Sequence, residues 1–349
     1  MLKAMLKTIP PFPYEIHTPS EMFWVSLQPH LLSRGYRLRP RYDPEWIPSW
    51  TKIPGGRPGQ FEDSLVNNAA LIDAVDISDG KKVVLKRIDT STNELPLAMK
   101  LSSPDLRSDP RNHAVPILDV ILIPGNDEIA LLVMPFLMDF HDLPFRRVGE
   151  VIEMVEQFLD CLEFLHDHNI THMDFCWFNL MMDAGPMVPR GWHFCRLCNH
   201  EGRSSGDFEW IERWAVCPVK YYLVDFELSR ELDPSVNHRF VGDWGQDRTV
   251  PEMSETVSAD TFKVDVYQLG NVIKKLTDQY TGLKILESLA NKMTNHDPLK
   301  RLTACQATKM FQHLKLTWTT RTLEKRVWQR TTPFIDRFMV KYRGLSTVI

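Results

Sequence analysis

The chain has 349 residues, a length that predicts about two domains. Hydrophobic residues make up 43% and charged residues 25%, which excludes a chain that is disordered throughout. Since 41 Lys and Arg stand against 45 Asp and Glu, no basic excess points to nucleic acid, and six cysteines are too few for a scaffold built on disulfides.

The sequence contains no signal for a membrane span or for export. Its most apolar stretch, 114–138, is interrupted by prolines and acidic residues, so it lacks the roughly 18 to 20 uninterrupted apolar residues of a spanning helix. The residues before Pro10 contain no apolar run of signal-peptide length. The sequence therefore predicts a soluble intracellular protein, cytoplasmic or nuclear, with no membrane partner and with nucleic acid not expected as a partner.

The first half of the chain is predicted to form an arm followed by a small antiparallel sheet. Residues 1–60 are rich in proline and tryptophan, which predicts an ordered but irregular arm, because disorder disfavours aromatic residues. From residue 61 onward, short apolar runs alternate with Gly, Asp, Asn and Pro turn residues. These runs predict four strands, at 69–75, 82–88, 117–123 and 128–134.

The second half is predicted to be helical. Between residues 148 and 168 the apolar residues fall at helical spacing and form one stripe. Similar patterns predict three further helices, at 264–276, 285–293 and 303–314. The basic tail that follows predicts a solvated helix resting on this half, with an acidic or nucleic-acid partner as the alternative interpretation.

A group of chemically useful residues follows the longest helix. Asp174 and Asn179 stand five apart, so a carboxylate that accepts a proton and an amide that binds Mg²⁺ can point into one cleft. Asp225 ends an apolar strand and offers a second Mg²⁺ ligand. Lys86, in an apolar β-type run, can pair with phosphate oxygens if Glu94 holds it.

In this order, these residues resemble the eukaryotic protein kinase superfamily. The match extends over roughly 71–314 and includes Val250-Pro251-Glu252, which resembles the motif that closes the activation segment. Two phrases, LRPRYDPEWIPSW and LSSPDLRSDPRNHAVPILDV, resemble more narrowly a group of kinase-like proteins from basidiomycete fungi.

The resemblance implies a fold, cofactors and a substrate class. The fold would be α+β and two-lobed, with a β-rich N-lobe at 61–137, a larger helical C-lobe at 138–314 and a basic extension at 315–349. The cofactors would be ATP and Mg²⁺, and the substrate a protein hydroxyl, of the Ser/Thr type. The resemblance leaves the oligomeric state open.

The resemblance also implies roles for individual residues. Asp174 would be the catalytic aspartate, and Lys86 would bind phosphate with Glu94 as its partner. Asn179 and Asp225 would bind Mg²⁺. The other assignments are the gatekeeper Met134, the nucleotide-binding hinge Pro135, Phe136 and Leu137, the structural pair Glu252 and Arg301, and Asp265, which would hold the catalytic loop.

Four features depart from the family pattern. No glycine lies between residues 61 and 80, so the glycine-rich phosphate loop is missing or replaced, with Asn67-Asn68 as a turn candidate. The other three are Glu227 in place of the glycine of Asp-Phe-Gly, Met173 in place of the arginine of His-Arg-Asp, and Cys176 where a loop lysine is usual. They leave two alternatives open: a pseudokinase or scaffold that binds nucleotide or partners without transfer, and a small-molecule kinase.

Two spacings differ from the family norm. Glu94 follows Lys86 by only eight residues and Pro96 comes two later, which predicts a short helix that begins near Glu94, with Thr92 or Asn93 as its N-cap. The long interval between Asp174 and Asp225 predicts an insert at 184–220. In that insert, the residues Cys195, Cys198, His200 and Cys217 would suit a tetrahedral zinc site, with His193 nearby, and the alternative is a reduced loop whose thiols bind nothing.

Overall fold

A computed structural model describes the chain at residues 17–66, 70–203, 208–235, 239–242, 245–335 and 337. The fold is mixed α+β, with antiparallel sheets and several helices. It divides into two units, the first comprising Met1–Arg87 and Trp192–Phe208, the second Ile88–Gly191 and Glu209–Ile349. The boundaries expected at residues 60, 137 and 314 stay predictions.

The first unit combines one helix with an antiparallel sheet. Helix α1 spans Pro19–Ser33 and is followed by strand β1, Tyr36–Leu38. Strand β2, Leu71–Asp76, lies between β1 and β3, Lys82–Asp89, which crosses the boundary between the units. The β2–β3 turn needs Gly80, whose φ of +73° an L side chain rarely adopts. Both predicted strands are therefore confirmed within one or two residues, and Asn67-Asn68 lies outside the described residues.

The prediction of an irregular arm at 1–60 is wrong for Pro19–Ser33, which form a helix, whereas residues 39–60 contain only short 3-10 turns and loops. Helix α1 begins with a capping box, in which the Thr18 hydroxyl accepts from the Glu21 amide and the Glu21 carboxylate accepts from the Thr18 amide. Pro19 occupies the first helical position, where a missing N–H costs nothing. These local signals outweigh the proline-rich composition.

The second unit begins with two short helices and a hairpin. Helix α2 spans Glu94–Leu101, with Asn93 as its N-cap, so the predicted start at Glu94 is confirmed. Pro96 lies in its first turn, where the backbone N–H has no intrahelical acceptor in any case. Helix α3, Pro104–Arg107, precedes strands β4, Asp119–Ile123, and β5, Asn126–Pro135, which pair antiparallel as predicted.

The helical core of the second unit is built around one long helix. Helix α4, Val148–Asp167, buries the predicted apolar stripe and packs against four helices that follow later in the chain. These later elements are α5 (Arg213–Val216), α6 (Thr261–Gln279), α7 (Glu287–Met293), α8 (Ala304–Lys315) and α9 (Thr320–Leu323). All four helices predicted in this half are confirmed, with ends that differ by a few residues.

Short strands in the second unit hold the loops that carry the site. They are β6 (Met138–Asp139), β7 (Ile170–Thr171), β8 (Leu180–Met182), β9 (Tyr221–Leu223), β10 (Arg230–Glu231), β11 (Arg239–Gly242), β12 (Ser254–Asp260), β13 (Tyr280–Thr281) and β14 (Trp328–Gln329). The pairs are β7 with β10, β11 with β12 and β13 with β14, and β6, β8 and β9 form a three-stranded sheet.

The first part of the basic tail is not the helix that was predicted. After α8 the chain forms the single turn of α9 and then β14, which pairs with β13. Helical residues follow at Phe334, Ile335 and Arg337, and the rest of the tail lies outside the described residues. Val327 is fully buried and its amide donates to the Arg146 carbonyl, so the tail packs on the unit as a strand. Among the described residues, no helix has the length and apolar character needed to cross a membrane.

Candidate functional site

The loop that follows β7 is held by helix α6. The buried Asp265 carboxylate accepts hydrogen bonds from the backbone amides of His172 (2.8 Å) and Met173 (2.7 Å). One turn later, the Gln268 side chain accepts from the Phe175 amide and donates to the Met173 carbonyl. Met173 has a φ of +68°, a strained conformation that these four bonds hold in place. The backbone of the loop is therefore fixed before any ligand binds.

Asp174 lies at the centre of this loop with both carboxylate oxygens engaged. The Asn179 side-chain amide donates to Asp174 Oδ2 (2.8 Å) and to its backbone carbonyl (2.9 Å). The Gln246 amide donates to Oδ1 (2.8 Å) and its side chain to Oδ2 (3.0 Å). Because Asp174 is only 5% exposed, these donors fix its orientation. The structure thus brings Asp174 and Asn179 together.

The approach of Gln246 to Asp174 depends on the preceding glycine. Gly245 has a φ of +94°, which disfavours any L side chain. A Cβ at this position would lie 3.0 Å from Asp174 Oδ1 and 3.0 Å from the Met173 carbonyl oxygen. The backbone can therefore pass this close to the carboxylate only because residue 245 has no side chain.

Asp225 belongs to a cluster of three acidic side chains. One carboxylate oxygen from each of Glu94, Asp225 and Glu227 lies within 4.8 Å of the others. Glu94 is buried, Asp225 is half-buried and Glu227 is exposed, so the cluster opens towards solvent at one end. Asp225 has a φ of +69°, and the preceding Val224 amide donates to the Asn179 carbonyl at 3.0 Å. An all-oxygen set of this kind suits a hard cation such as Mg²⁺.

The residues around Asp225 are packed into the unit. Phe226 is 2% exposed and meets the His172 ring edge-on, with 5.0 Å between centroids. The Ser229 hydroxyl, also buried, donates to the His172 carbonyl (3.3 Å). Burial lowers the pKa of His172, so this ring is neutral at neutral pH and serves as packing.

The segment that ends the site is clamped to α6 by an ion pair. The Arg301 guanidinium donates to both carboxylate oxygens of Glu252 and to the Lys263 carbonyl, and it lies over the Tyr267 ring at 4.6 Å. Arg301 is fully buried. The structure therefore brings together this pair, whose two members are 49 residues apart in sequence.

The remaining residues implied for nucleotide binding are divided between the two units. Lys86 lies on β3, is half-buried and belongs to the first unit, so its pairing with Glu94 stays a prediction. Met134 is buried at the end of β5, Leu137 is buried just before β6, and Pro135 and Phe136 between them are half-buried.

The cysteines of the insert show no metal cluster in the described residues. Two groups of three side chains there offer ligand atoms within 4.8 Å of one another, and neither includes a cysteine or His200. Cys217 belongs to the second unit, whereas Cys195 and Cys198 belong to the first. Burial raises the pKa of the Cys195 thiol to about 11, so it is protonated at neutral pH. Zinc at these residues stays a prediction without structural support.

A cavity of about 530 Å³ lies beside the loop that carries Asp174. Its wall includes Trp177, Phe178, Gln246, Asn271 and Lys275. Phe178 is 58% exposed, and the Lys275 ammonium lies over the Trp177 ring at 4.0 Å. This cavity offers room for a side chain of a bound molecule next to the carboxylate.

Gln246 and Gly245, which lie next to Asp174, were not predicted from the sequence. Gln246 lies 72 residues from Asp174 and belongs to no motif, so no sequence signal could have found it. Glu227, which replaces the glycine of Asp-Phe-Gly, was expected to place a further carboxylate near the metal, and it does lie in the acidic cluster with Asp225.

A comparison of the chain with protein-family models found no match, and neither did a comparison with curated proteins. The function proposed for this chain therefore depends on its own residues and on the resemblance that their order shows.

Proposed function

We propose that the chain is an ATP-dependent phosphotransferase with a two-lobed, protein-kinase-like fold, acting on a protein hydroxyl. The observation that supports this most is the arrangement around Asp174, a buried carboxylate oriented by Asn179 on a loop whose backbone is held by Asp265. Phosphoryl transfer needs little covalent chemistry from a protein, and positioned oxygens and neutralised charge supply most of its catalysis.

In this proposal Asp174 orients the acceptor hydroxyl and accepts its proton. A candidate base must be within hydrogen-bond reach of the proton it takes, and its carboxylate must stay fixed while it does so. The bonds from Asn179 and Gln246 support this role because they fix both oxygens of Asp174. The neighbouring cavity would receive the residues that flank the acceptor hydroxyl.

Mg²⁺ would be held by Asp225 and Asn179, with Glu94 or Glu227 as further oxygen donors. The donor chemistry fits, because carboxylate and amide oxygens are the ligands that Mg²⁺ prefers. When bound, the ion would neutralise charge on the phosphate oxygens. Lys86 is assigned to the phosphates by the resemblance alone.

The test compares nucleotide affinity, with and without Mg²⁺, and phosphate turnover in the full chain. Asp174→Ala is expected to keep nucleotide affinity while turnover falls by roughly 100-fold or more, since general-base catalysis contributes about 10²–10⁴-fold. Asp225→Ala is expected to lose the Mg²⁺ dependence of nucleotide binding. Asp105→Ala, which removes an exposed carboxylate from α3, is the matched control and should change neither quantity.

A binding module without transfer is the second candidate, and one observation favours it. Among the described residues, the hydrogen bonds to the Asp174 carboxylate come from Asn179 and Gln246, and no ion pair to this carboxylate is found there. A wild-type chain that binds ATP but never turns it over supports the binding module. A chain that binds no nucleotide overturns the phosphotransferase and leaves only a scaffold that binds partners. Turnover with small hydroxyl compounds but not with a peptide library would make it a small-molecule kinase.

A further inference from the structure

A short segment after β6 is unusually well anchored in the second unit. The side chains of Phe140 and Leu143 are fully buried. The Arg213 guanidinium donates to the carbonyl oxygens of Phe140 (2.6 Å) and Leu143 (2.9 Å), and the Phe140 amide donates to the Leu180 carbonyl (3.2 Å). The backbone between residues 139 and 143 is therefore held at several points. The Cα positions of the polar residues that lie between the buried ones are fixed as a result.

Those polar side chains are Asp139, His141 and Asp142, and they converge. One carboxylate oxygen of each aspartate and one ring nitrogen of the histidine lie within 4.8 Å of one another. The Asp142 amide donates to the Asp139 carbonyl, which closes a turn and brings the two aspartates to the same side. The group combines one imidazole with two carboxylates, and it shares no residue with the acidic cluster around Asp225.

Two atoms of this group are buried without a hydrogen-bond partner. Both His141 Nδ1 and Asp142 Oδ2 are inaccessible to solvent. In the part of the chain that the structure describes, neither atom has a hydrogen-bond partner. Buried polar atoms are nearly always satisfied, and an exception calls for a missing partner. Because one of these atoms is a carboxylate oxygen and the other a ring nitrogen, a single cation would satisfy the oxygen and, through a lone pair, the nitrogen.

Two cations of the described residues act on this group electrostatically, but neither forms an ion pair with it. Arg213 is the nearer candidate, but its two terminal nitrogens donate to backbone carbonyls. The Lys275 ammonium lies over the Trp177 ring. Within the described ranges, no ion pair joins either cation to Asp139 or Asp142.

We propose that Asp139, His141 and Asp142 bind a divalent transition metal ion of the zinc type. Imidazole together with carboxylate oxygens is a ligand set for Zn²⁺, and three protein ligands leave one position open for water or another ligand. Ligands at about 2.0–2.2 Å from one tetrahedral zinc ion lie roughly 3.4 Å apart. The three ligand atoms, which lie within 4.8 Å of one another, therefore need to close by at most about 1.4 Å. The imidazole discriminates against Mg²⁺, which prefers oxygen ligands.

The open position would face a second cavity. His141 lines a space of about 560 Å³ together with Trp177, Phe178 and Lys275. Its ring lies 5.1 Å from that of Trp177 and 6.2 Å from that of Phe178. The same two aromatic side chains line this cavity, so they hold the imidazole at its wall, where the metal's fourth ligand would enter.

The test is titration of the full chain with ZnCl₂, and separately with MgCl₂, followed by calorimetry. The expected result is one zinc ion per chain at this group, with an affinity that falls by roughly 10-fold or more in His141→Gln and in Asp142→Asn, since even partners outside the coordination sphere change metal affinity by about 10–100-fold. His313→Gln, which removes an exposed histidine of α8, is the matched control and should leave the affinity unchanged. Equal zinc affinity in wild type and in both ligand variants overturns the proposal.

A second measurement distinguishes this site from the cysteines. It does not require the His141 and Asp142 variants to fold. Co²⁺ in place of Zn²⁺ gives an absorption spectrum that distinguishes nitrogen and oxygen ligands from thiolates. We expect wild type to give visible bands without a thiolate charge-transfer band, and Cys195→Ser with Cys198→Ser to leave them unchanged. A thiolate band, loss of the bands in the cysteine variant, or no zinc binding at all overturns the proposal. None of these outcomes depends on phosphotransfer.

Discussion

Gln246 satisfies both oxygens of the Asp174 carboxylate, one through its backbone amide and one through its side chain. Its side chain also lies 3.4 Å from Asn179 Oδ1, so a single residue contacts two members of the candidate site. At the position where the protein kinases that this sequence resembles have a loop lysine, this chain has Cys176, whose burial raises the pKa of its thiol to about 12 and keeps it neutral. A neutral amide therefore takes the place of a cation next to Asp174.

We expect Gln246→Ala to lower turnover by roughly 10-fold, because Asp174 keeps Asn179 but loses one of its orienting donors. Gln246→Glu is expected to lower turnover further, since a second carboxylate would lie at about 3 Å from the first. The measurement is kcat and the KM for nucleotide, with Gln312→Ala, an exposed glutamine of α8, as the control. If Gln246 had only a structural role, its substitution would lower the stability of the protein without lowering kcat relative to KM. Equal kcat in all three variants would remove Gln246 from the site.

At the scale of elements, helix α4 combines a strongly apolar face with a crowded acidic one. Asp160 lies on this helix between Glu156 and Glu163, one turn away on each side. Burial raises the pKa of the Asp160 carboxyl to about 6, and the two glutamates raise it further. In the unfolded chain the same group titrates near its ordinary value of about 4.

This difference predicts how stability depends on pH. The raised pKa means that the protonated form of Asp160 favours the folded state. Its contribution to the free energy of unfolding is therefore fully present below pH 4 and is lost as the pH rises through about 6. Asp160→Asn removes the titration. The variant is therefore expected to be more stable than wild type at pH 7, by about 1 kcal/mol once solvent screening is allowed for, and equal to it near pH 4. Urea unfolding at both pH values measures this, and a gain that is the same at pH 4 and pH 7 would contradict the assignment.

The segment between Asp225 and Glu252 offers three hydroxyls that resemblance to kinases would make candidates for regulatory phosphorylation. Ser229 is buried and donates to the His172 carbonyl. The hydroxyls of Ser235 and Thr249 donate to aspartates two residues earlier, each at 2.7 Å. A phosphate at either exposed position would meet a carboxylate, which is repulsive.

We therefore expect activity that does not depend on phosphorylation of this segment, as the Met173 substitution also predicts. Turnover of phosphatase-treated protein, and of Ser235→Ala and Thr249→Ala, should stay within roughly twofold of the untreated chain. The measurement is the phosphate-transfer assay, with intact mass to verify the modification state. If phosphatase abolishes turnover and one alanine variant does the same, the expectation is wrong.

Helices and strands that depend on contacts between residues close in sequence were predicted better than features that depend on contacts between distant residues. Helix α4 and the β2–β3 pair follow from hydrophobic periodicity and turn residues, which are local, and both were predicted. Helix α1 was missed although its capping box is equally local, because proline and tryptophan content suggested irregular structure. In the site, Asp174 and Asn179 were predicted from their spacing on one loop. Gln246 depends on tertiary packing, for which one sequence contains no signal. The Asp139 group lies within four consecutive residues, so its ligand spacing was visible in the sequence although no metal site was predicted there.

At the scale of the whole molecule, the first unit is assembled from two distant parts of the chain. Trp192–Phe208, which comes from the predicted insert, joins the N-terminal residues. Lys82 of β3 donates to the Trp192 carbonyl (2.6 Å), and the His193 ring lies 3.0 Å from Glu62 Oε1. The insert therefore has a structural role in this unit beside any metal chemistry.

Arg39 links the parts of this unit. It forms ion pairs with Asp73 (2.9 Å) and Glu62 (2.7 Å) and donates to the Cys195 sulfur (3.4 Å), although these partners are 34, 23 and 156 residues away in sequence. Burial alone would lower the pKa of Arg39, but the charges of Asp73 and Glu62 outweigh it and raise the pKa above its ordinary value. The guanidinium therefore stays charged at any working pH.

Removal of the Arg39 guanidinium is expected to destabilise the insert locally. Arg39→Ala leaves the Asp73 and Glu62 carboxylates partly buried without their main counter-charge, which costs about 3 kcal/mol when a buried pair is broken. We expect amide hydrogen exchange to accelerate at residues 193–199, where the His193 amide donates to the Asn199 carbonyl. Arg37→Ala is the matched control, because Arg37 is exposed on β1 two residues earlier. If both variants exchange at the wild-type rate over this range, Arg39 does not hold the insert, and the contacts of Lys82 and His193 must be sufficient by themselves.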